Sequence, residues 1–404
     1  MPYISPSSGV YIVKGAARAA IYDTNSGNVF SINTDAVEVI ETLATSIAED
    51  YSEFADQIVA SNLYQWVDQP IDISMLYPPV LPEQKPDTLL RFFWAEITGR
   101  CNLRCVHCYA ESGEQTFPEE LPTEKWKKII TEGYHSGARS MQFIGGEPLV
   151  RKDLKELVEF ASQIGYQEIE IFTNGTLVSL EFLDWAKTVS GIRFAISFYS
   201  DNPEVHDTVT KIAGSWEKTY STIENIKSFG IPLRVAMIVM RQNENTVEST
   251  FSFCKENNIP CKTPDVVRPT GRGASSIIPT RPEILSIRMR TEPDFHTSHS
   301  SFSKARTKNT CWANKIAITP NGEVLPCIFA RNVNLGSVEK NSLSQILAGQ
   351  TSQQMWHLTR DNINTCQACE YRYACKDCRP LATSLFVKEK NCTYDPILGV
   401  WNNE

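Results

Sequence analysis

The stretch ITGRCNLRCVHCYAESG, Ile97 to Gly113, sets Cys101, Cys105 and Cys108 within eight residues in the spacing C-x3-C-x2-C. It runs on from the apolar segment LRFFWAEI, Leu90 to Ile97, which has the length and the aromatic content of a buried strand. In a large chain, thiols this close together read as ligands or catalytic groups rather than as disulfide partners. A structural zinc site asks for four ligands, usually as pairs with a longer gap, and no fourth ligand stands near this loop. Three thiolates suit a cubane of four irons with one iron left free of protein ligands. An open iron is a place where chemistry can occur.

Outward from this loop, strand and helix alternate. The apolar runs LRFFWAEI, SMQFIGG, EIEIFTNG, IRFAISFY, LRVAMIVM and CKTPDVV are interleaved with amphipathic stretches such as EKWKKIITEGY and LKELVEFASQIG. Six βα units imply an α/β fold with a parallel sheet, open or curled into part of a barrel. Ligand chemistry in such folds sits at the C-terminal ends of the strands, where the three-cysteine loop lies.

The cysteine loop resembles the signature C-x3-C-x-aromatic-C of the radical S-adenosylmethionine (radical SAM) enzymes, with His107 in the aromatic place. The resemblance implies a partial (β/α)6 TIM-type barrel. It also implies that Cys101, Cys105 and Cys108 hold a catalytic [4Fe-4S] cluster whose open iron chelates S-adenosyl-L-methionine. One electron then yields a 5′-deoxyadenosyl radical that abstracts hydrogen. FIGGEPL supplies Gly145, Gly146, Glu147 and Pro148, matching the family's glycine-glycine-glutamate motif at the methionine amino group. Glycines allow close backbone approach and a carboxylate complements an ammonium. By the same resemblance Thr173 and Asn174 in IFTNGT, Ser197 in AISFYSD and Arg268 in VVRPTGRG contact the cofactor. Ordinary strand-end polarity is the other reading of these four. The fourth-strand segment departs from the family's Ser-Leu-Asp-Gly, so only Ser197 is carried over.

Seven of the twelve cysteines fall after residue 310. CWANKIAITPNGEVLPC gives C-x10-G-x4-C, and CQACEYRYACKDC gives C-x2-C-x5-C-x2-C. A zinc knuckle is the other reading of the second block, although its pairs stand closer than those of a zinc ribbon. Together these cysteines resemble the SPASM extension of radical SAM enzymes, which implies two auxiliary [4Fe-4S] clusters. On that pattern Cys366, Cys369, Cys375 and Cys392 hold the outer cluster, and Cys311, Cys327 and Cys378 hold an inner one with a possible open iron. The last spacing is x2 where x3 is usual, which puts Cys378 in question. Cys254 and Cys261 fit neither motif and read as small buried hydrophobes, with Cys261 as an extra cluster ligand the alternative.

Near the start, IYDTNSGNVFSINTDAVEVIETL predicts a hairpin around Asp23–Gly27 and then a helix capped at Asn33 or Thr34, with Ala36, Val37, Ile40, Leu43 and Ala44 on one face. The stretch resembles the leader-peptide recognition element of peptide-maturing enzymes, a small α+β, winged-helix-like domain. A plain packing appendage is the other reading. Four prolines between Tyr77 and Pro86 mark a linker. The expected organisation is a leader-recognition domain over 1–77, a linker over 78–88, the radical SAM barrel over 89–280, a connection over 281–308 and the SPASM domain over 309–404.

A net charge of −8 argues against nucleic acid as a partner. MPYISPSSGVYIVKG lacks the charged and apolar regions of a signal peptide, and no apolar run is long enough to span a bilayer, so a cytoplasmic, membrane-free protein is expected. The resemblances imply an oxidoreductase that modifies a ribosomally made precursor peptide carrying a leader, forming a thioether or carbon-carbon crosslink. A flavodoxin- or ferredoxin-type donor would supply the electron. A formylglycine-generating sulfatase maturase is the enzymatic alternative, and a noncatalytic peptide-binding or electron-transfer protein the alternative of another class.

Overall fold

The computed structural model describes residues 3–47, 52–81, 86–113, 120–262, 264–273, 277–281, 295–376, 378–390 and 392–402. The chain divides into two compact units, the first built from Met1–Lys85, Met289–Ala313 and Gln354–Glu404, the second from Pro86–Arg288 and Asn314–Gln353. The segment after residue 308 is thus shared between both.

In the first unit, β1 (Tyr3–Pro6) pairs antiparallel with β5 (Tyr64–Val67), and β2 (Val10–Lys14), β3 (Ala19–Asp23) and β4 (Val29–Ile32) form an antiparallel meander. The β3–β4 turn is set by Asp23, whose carboxylate accepts from the N–H groups of Asn25 and Ser26 at 3.0 and 3.3 Å. Asn33 caps α1 (Thr34–Thr45) by accepting from the Ala36 N–H at 2.9 Å. Strand alternation splits the meander's side chains between two cores. Ile12 and Ile21 pack with Val37, Ile40 and Leu43 of α1, while Val13, Ala20 and Tyr22 pack with Phe302, Tyr371 and Tyr394. Tyr22 donates its hydroxyl hydrogen to the Glu370 carbonyl at 2.8 Å.

The second unit is built on an eight-stranded sheet in the order β10-β9-β8-β7-β6-β13-β14-β15. β6 (Phe92–Thr98), β7 (Ser140–Gly145), β8 (Glu168–Thr173), β9 (Ile192–Ser197) and β10 (Leu233–Ala236) run parallel, each neighbour reached through a helical crossover. The crossover helix Leu154–Ile164 shows the local logic: Leu154, Leu157, Val158 and Ala161 make its buried stripe, and Gly165, at φ +111°, ends it in the left-handed conformation.

The sixth parallel strand of this sheet is β13 (Lys315–Ile318), beside β6, followed by the antiparallel β14 (Glu323–Leu325) and β15 (Gly336–Ser337). The sequence assigned that place to CKTPDVV. That segment instead contributes only β12 (Asp265–Val266), paired in a separate two-stranded sheet with β11 (Ile238–Val239). Pro260 immediately precedes it, Pro264 lies within it, and neither has an N–H to donate, so a continuous ladder is not possible. It still follows the β10–β11 track, with Val235 N–H donating to the Pro260 carbonyl at 2.7 Å and Val267 N–H to the Val239 carbonyl at 3.0 Å. No helix among the described residues is long and apolar enough to cross a membrane.

Candidate functional site

Parallel strands end together, and the ends of β6 to β10 open onto one cavity of about 380 Å³. That volume is in the range of small-ligand sites, roughly 300–1,000 Å³. Cys101, Cys105 and Cys108 line it with His107, Gly145, Gly146, Thr173, Asn174, Ser197 and Arg268. Trp94, Phe172, Phe329 and Met237 add apolar wall.

The cysteine loop is shaped by its own backbone. Leu103 N–H points at the Cys101 sulfur and Ser112 N–H at the Cys108 sulfur, both at 3.4 Å. Burial pushes the Cys101 thiol up to about 12 and raises Cys105 as well, while Arg272 is the positive group that pulls both back. Buried thiols of this kind become thiolates when a metal centre supplies the compensating charge. Among the described residues no three Cys, His, Asp or Glu side chains converge as ligands of a single ion. Each cysteine of a cubane holds its own iron, and the three thiols that line this one cavity suit such a cluster. When bound, that cluster with S-adenosylmethionine supplies radical chemistry, and Cys101, Cys105 and Cys108 are the residues that would hold it.

Gly145 and Gly146 answer to the cysteine loop itself. A Cβ on Gly145 would stand 2.3 Å from the Thr98 carbonyl oxygen, and one on Gly146 would stand 2.0 Å from that of Arg100. In their place, Gly146 N–H donates to Thr98 O at 2.8 Å and Glu147 N–H to Arg100 O at 2.9 Å. The pair is therefore what lets β7 lie flush against the entrance of the loop.

Glu147 is fully buried, and its carboxylate accepts from Thr173 Oγ1 at 2.8 Å, Asn174 N–H at 2.9 Å and Leu149 N–H at 3.0 Å. Neither Glu147 nor Pro148, which opens a short turn after it, is on the cavity wall. The carboxylate thus fixes the β8 turn that presents Thr173 and Asn174. Burial pushes it up to about 7 from an ordinary 4.5, against the pull of its donors. A folded value above the unfolded one means its contribution to stability is complete below pH 4.5 and is lost as pH rises through about 7. Wild-type protein is therefore expected to lose stability relative to Glu147→Gln between about pH 5 and pH 8 in urea titrations. Parallel pH profiles for the two would contradict this placement of the carboxyl.

His107 is half-buried, its enclosed Nδ1 has no hydrogen-bond partner among the described residues, and its ring meets Tyr199 edge-on at 4.9 Å. Burial, and then the charge of Arg272, hold it neutral by pushing its pKa down to about 4. It serves as a packed ring. Ser197, at the end of β9, lines the cavity with Tyr199. Arg268 pairs with Asp265 at 2.8 Å and lies over the Phe329 ring at 4.1 Å.

Sequence reasoning passed over Arg272. Its Nε donates to the Cys105 carbonyl and its N–H to that of Cys108, both at 3.0 Å, so the segment Arg268–Gly273 is laced across the cysteine loop. Gly271, at φ +59°, permits the crossing, because a Cβ there would stand 2.5 Å from the carbonyl oxygens of Cys108 and Tyr109. The paired glycines around Arg272 in TGRG were the available signal. Asn102 was also missed; it links the loop to Asn174 and Thr176 at 3.0 and 2.7 Å.

The C-terminal cysteines are divided. Cys327, buried, belongs to the second unit, and Cys311, Cys366, Cys369, Cys375, Cys378 and Cys392 to the first. Within the first unit Cys369, Cys375 and Cys392 border one buried aromatic cluster, and Cys366 and Cys375 lie 3.6 and 3.2 Å from the same Arg360 guanidinium, which puts these four in one region. Cys254 is 1% exposed, and the half-buried Cys261 donates its thiol to the Lys262 carbonyl at 3.5 Å.

Comparison with known proteins agrees with this chemistry. The Radical SAM superfamily matches residues 95–254, and the SPASM iron-sulfur cluster-binding domain matches residues 311–379. The chain is 30% identical over 276 residues to the antilisterial bacteriocin subtilosin biosynthesis protein AlbA of Bacillus subtilis (strain 168), spanning 65% of this chain and 60% of that one. It is 25% identical over 360 residues to an AdoMet-dependent heme synthase of Oleidesulfovibrio alaskensis, spanning 80% of this chain and 92% of the relative. Streptococcus suis SuiB, solved bound to S-adenosylmethionine, has the same fold with a TM-score of 0.61 at 13% identity, over 96% of this chain and 100% of SuiB. The matches imply a cluster that binds S-adenosylmethionine and auxiliary iron-sulfur sites. With three thiols on a cavity at the strand ends and both domains matched, the chain is a radical SAM/SPASM-family enzyme.

Proposed function

We propose that this enzyme modifies a ribosomally made, leader-bearing precursor peptide, abstracting hydrogen from one residue and joining the resulting carbon to a thiol or another side chain. Three [4Fe-4S] clusters, one for S-adenosylmethionine and two auxiliary, and a flavodoxin- or ferredoxin-type donor complete the reading. Cys101, Cys105 and Cys108 hold the catalytic cluster. Arg272 and the Gly145–Gly146 step fix their loop. The apolar wall of Trp94, Phe172 and Phe329 keeps water from the reacting carbon.

The observation that carries the reading is the open edge of β4. Among the described residues, Val29–Ile32 pair only with β3; just before them His296 is bridged antiparallel to Asn28, so the open part of the edge is Phe30–Ile32. Asp23 N–H donates to the Asn28 carbonyl at 2.9 Å, so by antiparallel alternation the N–H groups of Val29 and Ser31 point away from β3. Phe30 on the same strand is 42% exposed. Such an edge can take a leader as an added strand, and holding the leader raises the local concentration of the segment to be modified.

Truncating the N-terminal strands would open the aromatic core they share with Phe302 and Tyr371, so a point variant is the cleaner test. Ser31→Pro removes an outward donor and leaves the β3 ladder intact. It is expected to weaken processing of a leader-bearing peptide about tenfold, the worth of one lost hydrogen bond. Formation of 5′-deoxyadenosine without peptide should be unchanged. Ser31→Ala, which loses the hydroxyl contact to Arg18 and keeps the backbone N–H, should process normally. Wild-type processing by Ser31→Pro, read by mass spectrometry, would exclude this edge.

A second reading, a role in heme synthesis, is favoured by the extent of the alignment with the AdoMet-dependent heme synthase. It predicts turnover of a tetrapyrrole that is indifferent to Ser31→Pro.

A further inference from the structure

Arg360 is 7% exposed, a burial that arginines reach almost only when paired, and it has several partners. Its Nη2 stands 3.2 Å from the Cys375 sulfur and its Nη1 3.6 Å from that of Cys366. The same Nη2 donates to the Lys376 carbonyl at 3.0 Å and to Glu389 Oε1 at 3.1 Å. Glu389 Oε1 in turn accepts from the Cys378 N–H at 2.9 Å. One guanidinium therefore bridges two sulfurs of the four-cysteine group, with one carboxylate as its counter-charge. Arg379 is also buried nearby, but its Nη1 is turned to the carbonyls of Leu385 and Val387 at 3.0 and 2.8 Å. Glu370, on the far side by Cys369, accepts from the Tyr394 hydroxyl.

We infer that Arg360 is a positioning residue that sets the reduction potential of the auxiliary cluster carried by Cys366, Cys369, Cys375 and Cys392, by donating to two ligand sulfurs, with Glu389 offsetting part of its charge. The inference rests on the auxiliary-cluster reading of these cysteines. Four thiolates around a cubane leave a net negative centre that becomes more negative on reduction. A cation bonded to the sulfurs favours the reduced form and raises the potential.

The test uses the full chain carrying Cys101→Ala, Cys105→Ala and Cys108→Ala, so that auxiliary clusters alone contribute, in an EPR-monitored titration with dithionite. Arg360→Gln is expected to lower the midpoint potential of one cluster. Glu389→Gln, which leaves the guanidinium uncompensated, is expected to raise it. Arg360→Lys, which keeps the charge but loses the two-pronged donation, should fall between wild type and Arg360→Gln. A purely structural role would shift both substitutions the same way, or lose iron in both; either result, or unchanged potentials, overturns the inference. A parent protein without iron and sulfide beyond the Cys311, Cys327 and Cys378 set overturns the cluster assignment beneath it.

Discussion

Replacing Cys101, Cys105 and Cys108 together with alanine is expected to reduce 5′-deoxyadenosine formation to the level seen without enzyme, while iron and sulfide at the C-terminal cysteines persist. The three thiols share one cavity wall, and among the described residues nothing else there offers a soft anionic ligand. Loss of any one would leave a cluster with two protein ligands, so the triple variant removes the centre rather than weakening it. The fold should survive. The loop is held by backbone bonds that alanine keeps, among them Cys101 N–H to Gly113 O at 2.8 Å and the Arg272 bonds to the carbonyls of Cys105 and Cys108. Residual deoxyadenosine above background, by chromatography under anaerobic conditions, would place the catalytic centre elsewhere.

Gly146→Ala is expected to cost about 3 kcal/mol of stability, the upper end of overpacking penalties, and to strip the catalytic cluster. The added methyl would meet the Arg100 carbonyl oxygen at 2.0 Å, and that partner is backbone in the residue just before Cys101, so no rotamer change relieves it. Either β7 separates from the loop or the loop moves, and both break the bonds from Gly146 N–H and Glu147 N–H. Gly113→Ala, at the other end of the loop, is the matched control: a Cβ there has nothing within 4 Å among the described residues. Anaerobic denaturation curves and iron content should separate the two. A Gly146→Ala protein as stable and as iron-rich as Gly113→Ala would contradict the close packing described here.

What was legible in the sequence was whatever is encoded over a few residues. The x3 and x2 spacings of the cysteines, the period-two strands and the Asn33 cap are local facts, and the structure carries them as hairpin, helix and strand ends. What was not legible depends on which strands become neighbours. The Gly-Gly-Glu motif was visible, but that its glycines face Thr98 and Arg100, and its carboxylate Thr173 and Asn174, follows only once β7 lies between β6 and β8. Pro260 and Pro264 were in plain view, yet their effect on the sixth strand was underestimated because the apolar pattern of CKTPDVV looked sufficient. Arg272 and Arg360 lay hidden for a different reason. A charged side chain in a polar loop is normally a solvated one, and only tertiary placement turns these two onto the cysteine segments.

The most direct test of the central claim is Mössbauer spectroscopy of anaerobically prepared, iron-57-labelled enzyme before and after addition of S-adenosylmethionine. If the three-cysteine loop holds a cubane with an open corner, one iron site of one cluster should change its isomer shift and quadrupole splitting on addition, and the change should be absent from the Cys101, Cys105, Cys108 alanine variant. Identical spectra with and without S-adenosylmethionine, or a loop that binds zinc instead of iron, would contradict it.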